Sequence, residues 1–277
     1  MVCQTKTKDF SMLDKVNSPQ DVKKLNNEQL NILAEDVRKL IIQVTSKVGG
    51  HLAPSLGATD IAVALLKVFD PLKNKIVWDV GHQSYAYKIL TERKDRFHTL
   101  RQYKGISGFN NIFESEFDAF GVGHSSTSIS AALGITCGYD QQNEPRKTIA
   151  IIGDGALTGG MAFEALNHAG HLKKELIIIL NDNNMSISKN VGGLQDYLTN
   201  MLVSKSYNTL KKQIWDLSQS LPPGIKNKFI YGAQKLEESL INIMVPNILF
   251  EDLGMKYVGP IDGHDIERMV KIFNRSR

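Results

Sequence analysis

Two short polar motifs carry residue types that could bind a phosphorylated ligand through a metal ion. Gly153-Asp154-Gly155 directly follows one apolar run, and Asn181-Asp182-Asn183 directly follows the next, with 25 residues between the motifs. Glycines let a backbone approach a phosphate at a helix N-terminus, but a carboxylate there would repel the phosphate unless a cation lay between them. Mg²⁺ binds about six oxygens, of which phosphate and water supply several. The motifs therefore predict a Mg²⁺–phosphate site with Asp154, Asn183 and a backbone carbonyl as protein ligands.

The Gly-Asp-Gly motif has three other interpretations. Alone it could be a plain turn, but a strand before it, a helix after it and the second polar motif at the next strand end favour a binding site. A dinucleotide site requires G-x-G-x-x-G, and Thr158 occupies the third glycine position. A P-loop requires G-K-[ST] after a strand, which this sequence lacks.

Histidines add a second signal, because five of the seven follow a glycine although glycine makes up only 22 of 277 residues. These five are His51, His82, His124, His171 and His264. His82 follows an apolar run, and His124 opens Gly-His-Ser-Ser-Thr-Ser, whose hydroxyls can satisfy amide donors or bind phosphate. A hydrogen-bonded loop histidine is the plain interpretation of any single one. Together, His51, His82 and His124 are expected to converge on one site, whereas His98, His168 and His171 are interpreted as surface or helix-end residues.

Three short runs predict the strands that position these motifs: Lys75–Asp79, Lys147–Ile152 and Glu175–Leu180. They are β-branched and lack polar alternation, which is typical of strands covered on both faces, hence of a parallel sheet. Helical patterns alternate with the runs, so we expect an α/β fold with a parallel β-sheet and helices on both faces. A fourth strand is predicted near Lys256–Val258.

Helices are predicted from capping and periodicity. Ser18-Pro19 should open a short helix through Leu25, and an apolar stripe indicates a longer helix that ends at Gly49-Gly50. Thr59–Phe69 is apolar nearly all round, which predicts burial. Between residues 192 and about 230 the signal weakens, so we expect one domain over residues 1–277 with a loose insertion there.

Composition excludes several classes of protein. The chain is 42% hydrophobic and 22% charged, with a net charge of +4 that is interspersed, so no nucleic-acid partner is expected. Two cysteines, Cys3 and Cys137, make no disulfide framework and fit a reducing compartment. The N-terminus lacks a signal-peptide core, and the longest apolar run, Leu176–Leu180, is too short for a membrane helix. We therefore expect a soluble, cytoplasmic protein that does not bind membranes.

These motifs resemble those of a family of thiamine-diphosphate enzymes, the 1-deoxy-D-xylulose-5-phosphate synthases, more closely than those of transketolases. The spacing of Gly-Asp-Gly and Asn-Asp-Asn matches the family's diphosphate-binding motif. The resemblance covers nearly the whole chain, in the family's order, through GGHLAPSLG (49–57), DVGHQSYAYKIL (79–90), FGVGHSSTSISAALG (120–134), GDGALTGGMAFEALNHAG (153–170), NDNNMSISKNVGG (181–193) and LGMKYVGPIDGHD (253–265).

The resemblance implies roles for individual residues within a thiamine-diphosphate-binding fold. Asp154, Asn183 and the carbonyl of Met185 would hold Mg²⁺ on the cofactor's diphosphate, and Ile187 would pack beneath the bent cofactor. His51 would be the active-site histidine near the substrate, with His82 as a second catalytic residue. The cofactor would be lined by His82, Gly123, His124, Ser125, Gly155 and Ala156.

The implied enzyme is a transferase of the transketolase type that condenses pyruvate with glyceraldehyde 3-phosphate and releases CO₂, at the start of the methylerythritol phosphate route to isoprenoids and on a route to thiamine. Family members are homodimers more than twice this length. From the resemblance we expect that their pyrimidine-binding and C-terminal domains, with the cofactor-activating glutamate and the phosphate-binding arginines, are not part of these 277 residues. We therefore expect weak cofactor binding, no turnover by this chain alone, and an exposed apolar surface where the second domain would dock.

Two alternatives to this interpretation remain open from sequence. One is the diphosphate-binding subunit of a split transketolase, against which the segments GHSSTS and GPIDGHD argue. The other is a non-catalytic fragment that at most binds Mg²⁺ and thiamine diphosphate. A partner chain carrying the missing glutamate would separate the two enzymes from this fragment.

Overall fold

A computed structural model describes residues 10–144, 146–182 and 248–277 of the chain. The described residues fall into two units, one formed by residues before 186 together with 262–277, the other by 248–261. The predicted insertion at about 192–230 lies outside the described residues. No helix in the described ranges is long and apolar enough to cross a membrane.

The first unit begins with a layer of helices that follows the predicted capping signals. Helix α1, Pro19–Lys24, starts after Ser18, whose backbone N–H donates to the Asp21 carboxylate at 3.1 Å. Helix α2, Asn27–Val48, starts with reciprocal 2.9 Å hydrogen bonds between Asn26 and Gln29 and ends at Gly49, where φ is +75°. The two predicted helices are confirmed. Their ends could be predicted from sequence because they depend on local capping chemistry.

A buried helix lies at the centre of this layer. Helix α3, Leu52–Gly57, leads directly into α4, Thr59–Val68, whose side chains are nearly all buried, as its all-round apolar sequence predicts. Helix α4 packs against α1, α2, α3 and the last helix, α10, Ile266–Ser276. At that contact the rings of Phe69 and Phe273 lie 6.1 Å apart.

Three parallel strands form the sheet in the order β1–β2–β3: Lys75–Trp78, Thr148–Gly153 and Leu176–Asn181. All residues of β2 before Gly153 are buried, so both faces of this strand are covered. Helix α6, Ser128–Gln141, packs across the three strands. The predicted α/β fold is confirmed, with strand bounds shifted by one residue.

Three helices follow the first two strands, and several of the predicted site residues lie at or near their N-termini. The helices are α5, Tyr85–Lys88, after β1, and α7, Asp154–Leu157, and α8, Gly160–Leu172, after β2. In the unit formed by 248–261, helix α9 spans Ile248–Asp252.

The predicted fourth strand near Lys256–Val258 is wrong. This segment has no regular structure and follows α9. The amide of Met255 returns to the carbonyl of Phe250 at 2.9 Å, and the ring of Tyr257 stacks on that of Phe250 at 5.8 Å. The segment thus packs on the helix before it, and its β-propensity is overridden by this local contact.

Candidate functional site

The carboxyl ends of the three strands meet at one edge of the sheet. Gly153 at the end of β2 is in register with Asn181 at the end of β3. The amide of Asp79, directly after β1, donates to the carbonyl of Ile151 in β2 at 2.7 Å. The loops that carry His82, Asp154 and Asn181 therefore leave the sheet side by side, where open α/β sheets bind their ligands.

Asp79 fixes the loop that carries His124 and Ser125. Its fully buried carboxylate accepts the backbone N–H groups of Ser126 at 2.8 Å and Ser128 at 3.0 Å. Ser126 has a φ of +69°, a left-handed conformation that costs free energy in a non-glycine residue. The two charge-assisted hydrogen bonds offset that cost.

The same loop is joined to the Gly-Asp-Gly turn. The hydroxyl of Ser126 donates to the carbonyl of Ala156 at 2.7 Å, and a side chain on Gly159 would collide with that hydroxyl. Asp154 is the first residue of α7 and is only 4% exposed, while Gly155 and Ala156 are half-buried. One set of contacts thus brings the predicted residues of two loops together. His124 and Ser125 lie exposed at this edge.

His51 and His82 form an aromatic group with two neighbours. Their ring centroids lie 5.9 Å apart in an edge-to-face arrangement, and Phe109 lies 5.4 Å from the ring of His51. The backbone N–H of His51 donates to the hydroxyl of Tyr85 at 3.1 Å. His51 comes from the connection between α2 and α3, so it is not a strand-end residue, but its predicted convergence with His82 is confirmed.

The environment favours the neutral form of both imidazoles. Burial lowers the pKa of His51, and the nearby Arg101 cation lowers it further. Burial also lowers the pKa of His82, reinforced by His51 and opposed by the Asp79 carboxylate. A neutral imidazole can accept a proton at one nitrogen and donate one at the other, so this pair can take part in proton transfer near neutral pH.

Comparison with known proteins identifies the lineage. The family model described as 1-deoxy-D-xylulose-5-phosphate synthase matches residues 13–277. The chain belongs to this family. It is 51% identical to the synthase of Carboxydothermus hydrogenoformans over 96% of its own length, and 52% identical to that of Clostridium beijerinckii over 97%. In each case the chain spans 43% of the relative's length.

Solved transketolases share the fold of this synthase-family chain. The transketolase of Leishmania mexicana has a TM-score of 0.59 at 18% identity and covers 89% of this chain, which covers 34% of the transketolase. An R525L mutant of the Pichia stipitis transketolase gives the same values. At 18% identity this likeness concerns the fold alone. The sequence match is to the synthases, which favours the synthase over the alternative of a split transketolase.

Several buried polar atoms beside the end of β1 have no hydrogen-bond partner within the described part of the chain. They are Nε1 of Trp78, Nδ1 of His82, Nε2 of Gln83, Oδ1 of Asn110 and Oγ of Ser128. Gln83 is 3% exposed, and its Oε1 accepts from Nδ2 of Asn181 at 3.1 Å. Buried polar groups are nearly always satisfied in folded proteins. These atoms and the buried Asp154 therefore fit the polar, metal-bound group that the family resemblance implies.

Some predicted site residues lie outside the described ranges. Asn183, Met185 and Ile187 are among them, so the second half of the predicted Mg²⁺ site stays a prediction. Of the other Gly-His residues, His171 is exposed, and Nδ1 of His264 lies 2.8 Å from the Asp60 carboxylate. His98 and His168 are exposed, as predicted.

Sequence reasoning missed Asp79, Ser126 and Gln83. Asp79 was assigned to the end of a strand, although a carboxylate that closes an otherwise apolar strand is costly to bury and thus needs a dedicated partner. Ser126 stands in the predicted hydroxyl cluster, but its left-handed backbone gives no signal in sequence. Gln83 gives no signal except its position next to His82.

Proposed function

We propose that residues 1–277 are the diphosphate-binding domain of a 1-deoxy-D-xylulose-5-phosphate synthase. In this proposal the domain binds thiamine diphosphate and Mg²⁺ for the condensation of pyruvate with glyceraldehyde 3-phosphate. The observation that carries it is the link from Asp79 through Ser126 to Ala156. This link supports a single site formed by His82, the His124 loop and the Asp154 turn.

Each residue has a defined part in the proposed site. Asp154, Asn183 and the carbonyl of Met185 would hold Mg²⁺, an ion that prefers hard oxygen ligands and is often bound together with phosphates. The diphosphate and the rest of the cofactor are held by Gly123, His124, Ser125, Gly155, Ala156 and His82. Ile187 packs beneath the cofactor. When bound, thiamine diphosphate supplies the electron sink for decarboxylation.

The chain's own side chains then orient the reactants and move protons. His51 and His82, both favoured in the neutral form, transfer protons to and from substrate oxygens. Phe109 and Tyr85 lie against the ring of His51 and shield it from water. Shielding strengthens every electrostatic interaction within the site.

The proposed site needs more than this chain. The relatives contain more than twice as many residues, which supports a second half that completes the site. From the family resemblance, we also propose that the whole enzyme assembles as a homodimer. Tyr103 and Phe113, 92% and 91% exposed, support a docking surface for that half. We infer that the chain alone binds the cofactor and does not turn over pyruvate.

A variant at Asp154 tests the metal site. Asp154→Ala should abolish Mg²⁺-dependent binding of thiamine diphosphate, measured by titration calorimetry, because the carboxylate is the charged protein ligand in the proposed Mg²⁺ shell. Asp140→Ala is the matched control, since this carboxylate is paired with Lys174 at the surface. Unchanged affinity in Asp154→Ala would contradict the metal assignment.

A turnover assay tests whether the site is incomplete. The purified chain, with Mg²⁺ and thiamine diphosphate, is given pyruvate with and without glyceraldehyde 3-phosphate, and CO₂ release is measured. Binding without release is the expected result. Release of CO₂ would show that the activating glutamate has a substitute within these 277 residues, and lack of cofactor binding would contradict the proposed site itself.

A further inference from the structure

Four charged side chains are buried together beside the candidate site. Lys88, Arg93, Glu114 and Asp118 have side chains that are 0%, 5%, 8% and 0% exposed, and we call them the ion cluster. Lys88 Nζ lies 2.5 Å from Glu114 Oε1, and Arg93 Nη1 lies 3.1 Å from the same oxygen. Arg93 also holds both oxygens of Asp118, at 2.7 and 3.1 Å. Two cations and two anions thus balance in one buried group.

The acids of the ion cluster also bind the backbone of one long loop. We call residues 105–122 the covering loop. The amide of Ser107 donates to Glu114 Oε2 at 2.5 Å, and the amide of Asn111 donates to Asp118 Oδ2 at 2.9 Å. The side-chain amide of Asn110 donates to Asp118 Oδ1 at 2.8 Å. The two carboxylates therefore fix the conformation of the covering loop by hydrogen bonds to its backbone and to Asn110.

The bases of the ion cluster come from the segment that follows His82. Lys88 ends α5, and Arg93 lies five residues further on. A third contact from this segment is the hydroxyl of Tyr87, which donates to the carbonyl of Phe117 at 2.7 Å. Burial lowers the pKa of Lys88, helped by Arg93 and opposed by the two acids, so its charge depends on the covering loop. The ion pairs fasten the loop to this segment.

The covering loop contacts His51 and the residue before His82. The ring of Phe109 lies 5.4 Å from that of His51. A side chain on Gly81, the residue before His82, would lie 2.5 Å from Val122 Cγ2 and 3.0 Å from Asn110 Oδ1. Gly81 has a φ of +84°, so its conformation and its lack of a side chain are both required by this contact.

We propose that the ion cluster is the positioning device of the candidate site: it holds the covering loop so that Phe109 covers His51 and Asn110 packs against Gly81. The functional meaning of the device rests on the proposed roles of His51 and His82. The device itself does not depend on cofactor or turnover. Its test uses the cofactor-free chain, so its failure is distinguishable from failure of the proposed function.

The first test uses Asp118→Asn, which keeps the shape of the side chain but removes its charge. The amide of Asn111, which donates to Asp118, should exchange with deuterium about tenfold faster or more, since hydrogen bonds to a charged group are strong. The NMR titration of His51 should move towards its ordinary pKa, because its ring gains water as Phe109 moves away. If Asp118→Asn does not fold, the same two measurements are made on Lys88→Met. This variant keeps a counter-charge for each buried acid, because Arg93 still pairs with both Glu114 and Asp118.

Lys94→Met is the matched control for loss of stability. Lys94 donates to the carbonyls of Leu13 and Val16, at 3.0 and 2.9 Å, and has no such bond to the covering loop. The Lys94→Met variant should therefore lower the stability of the chain and leave the NMR titration of His51 unchanged. An equal shift in Lys94→Met would mean that the His51 titration reports general loosening, and would overturn the proposal.

A double variant completes the test. Phe109→Ala removes the ring that covers His51, so it should shift the His51 titration without touching the ion cluster. Adding Asp118→Asn to Phe109→Ala should then produce no further shift, because both act through the same contact. Additive shifts, or a shift in Phe109→Ala with none in the cluster variant, would overturn the positioning role.

Discussion

Two polar regions lie side by side in this chain and are built in opposite ways. In the ion cluster every buried charge has an oppositely charged partner, and the covering loop's backbone donates to the carboxylates. At the carboxyl edge of the sheet, buried atoms of His82, Gln83 and Asn110 have no partner in the described ranges. Satisfied groups hold a shape, whereas unsatisfied ones are expected where a ligand binds.

The comparison predicts that removing one charge from the ion cluster has the largest effect on stability. Arg93→Met should lower the free energy of unfolding by about 3–5 kcal/mol, because it leaves two buried carboxylates with only Lys88 as a counter-charge. The measurement is urea denaturation of the chain at neutral pH.

The control for this prediction is an exposed ion pair. Arg146 lies 2.8 Å from Glu144, with both side chains more than one third exposed. Arg146→Met should cost less than about 1 kcal/mol. If the two variants were equally destabilised, the ion cluster would not be the tightly coupled element that the comparison assumes.

A second prediction concerns an unsatisfied group at the edge. Gln83→Met removes one hydrogen bond, from Asn181, but also removes the buried Nε2 that has no partner. These two effects oppose each other, so the free energy of unfolding should change by no more than about 1 kcal/mol. Affinity for thiamine diphosphate with Mg²⁺ should nevertheless fall about ten- to hundredfold, which is the value of one hydrogen bond to a charged ligand. Calorimetry measures the affinity and urea denaturation the stability.

Thr148 offers the matched control for Gln83. Its buried Oγ1 also lacks a partner among the described residues, but it lies at the start of β2, away from the carboxyl edge. Thr148→Val removes this hydroxyl at nearly constant shape and should leave cofactor affinity unchanged. Equal losses in both variants would mean that unsatisfied atoms do not mark the ligand site.

The two regions also differ in how far sequence could predict them. The strand ends and the Gly-Asp-Gly turn follow from local patterns: continuous β-branched runs, glycines and capping residues. The meeting of His51 with His82 joins two distant segments, and in sequence only the shared Gly-His pattern indicates it. The ion cluster does not follow from such patterns, because its partners lie 21 to 26 residues apart in sequence with no periodic spacing. Asp79 was missed for the same reason, since Ser126 and Ser128 are 47 and 49 residues away. Only the folded chain brings such partners together.

The smallest predicted effect is on the pH dependence of stability. His51 and His82 have pKa values lowered from 6.5 by folding, chiefly by burial. As the pH falls below 6.5, the two imidazoles therefore bind protons in the unfolded chain before they do so in the folded chain. Their contribution to the free energy of unfolding is complete above pH 6.5 and is lost as the pH falls through their pKa values in the folded chain. Urea denaturation between pH 7.5 and 5.5 measures this slope.

A histidine variant assigns that slope to the site. His51→Asn should flatten the dependence, since the variant has one fewer group that binds protons more tightly in the unfolded chain. His168→Asn is the control, because that ring is exposed on α8 and folding removes little water from it. In Asp118→Asn the slope should also flatten, since a displaced covering loop would hydrate His51. An unchanged slope in both His51→Asn and Asp118→Asn would separate the ion cluster from the candidate site, and the two regions would then be neighbours without coupling.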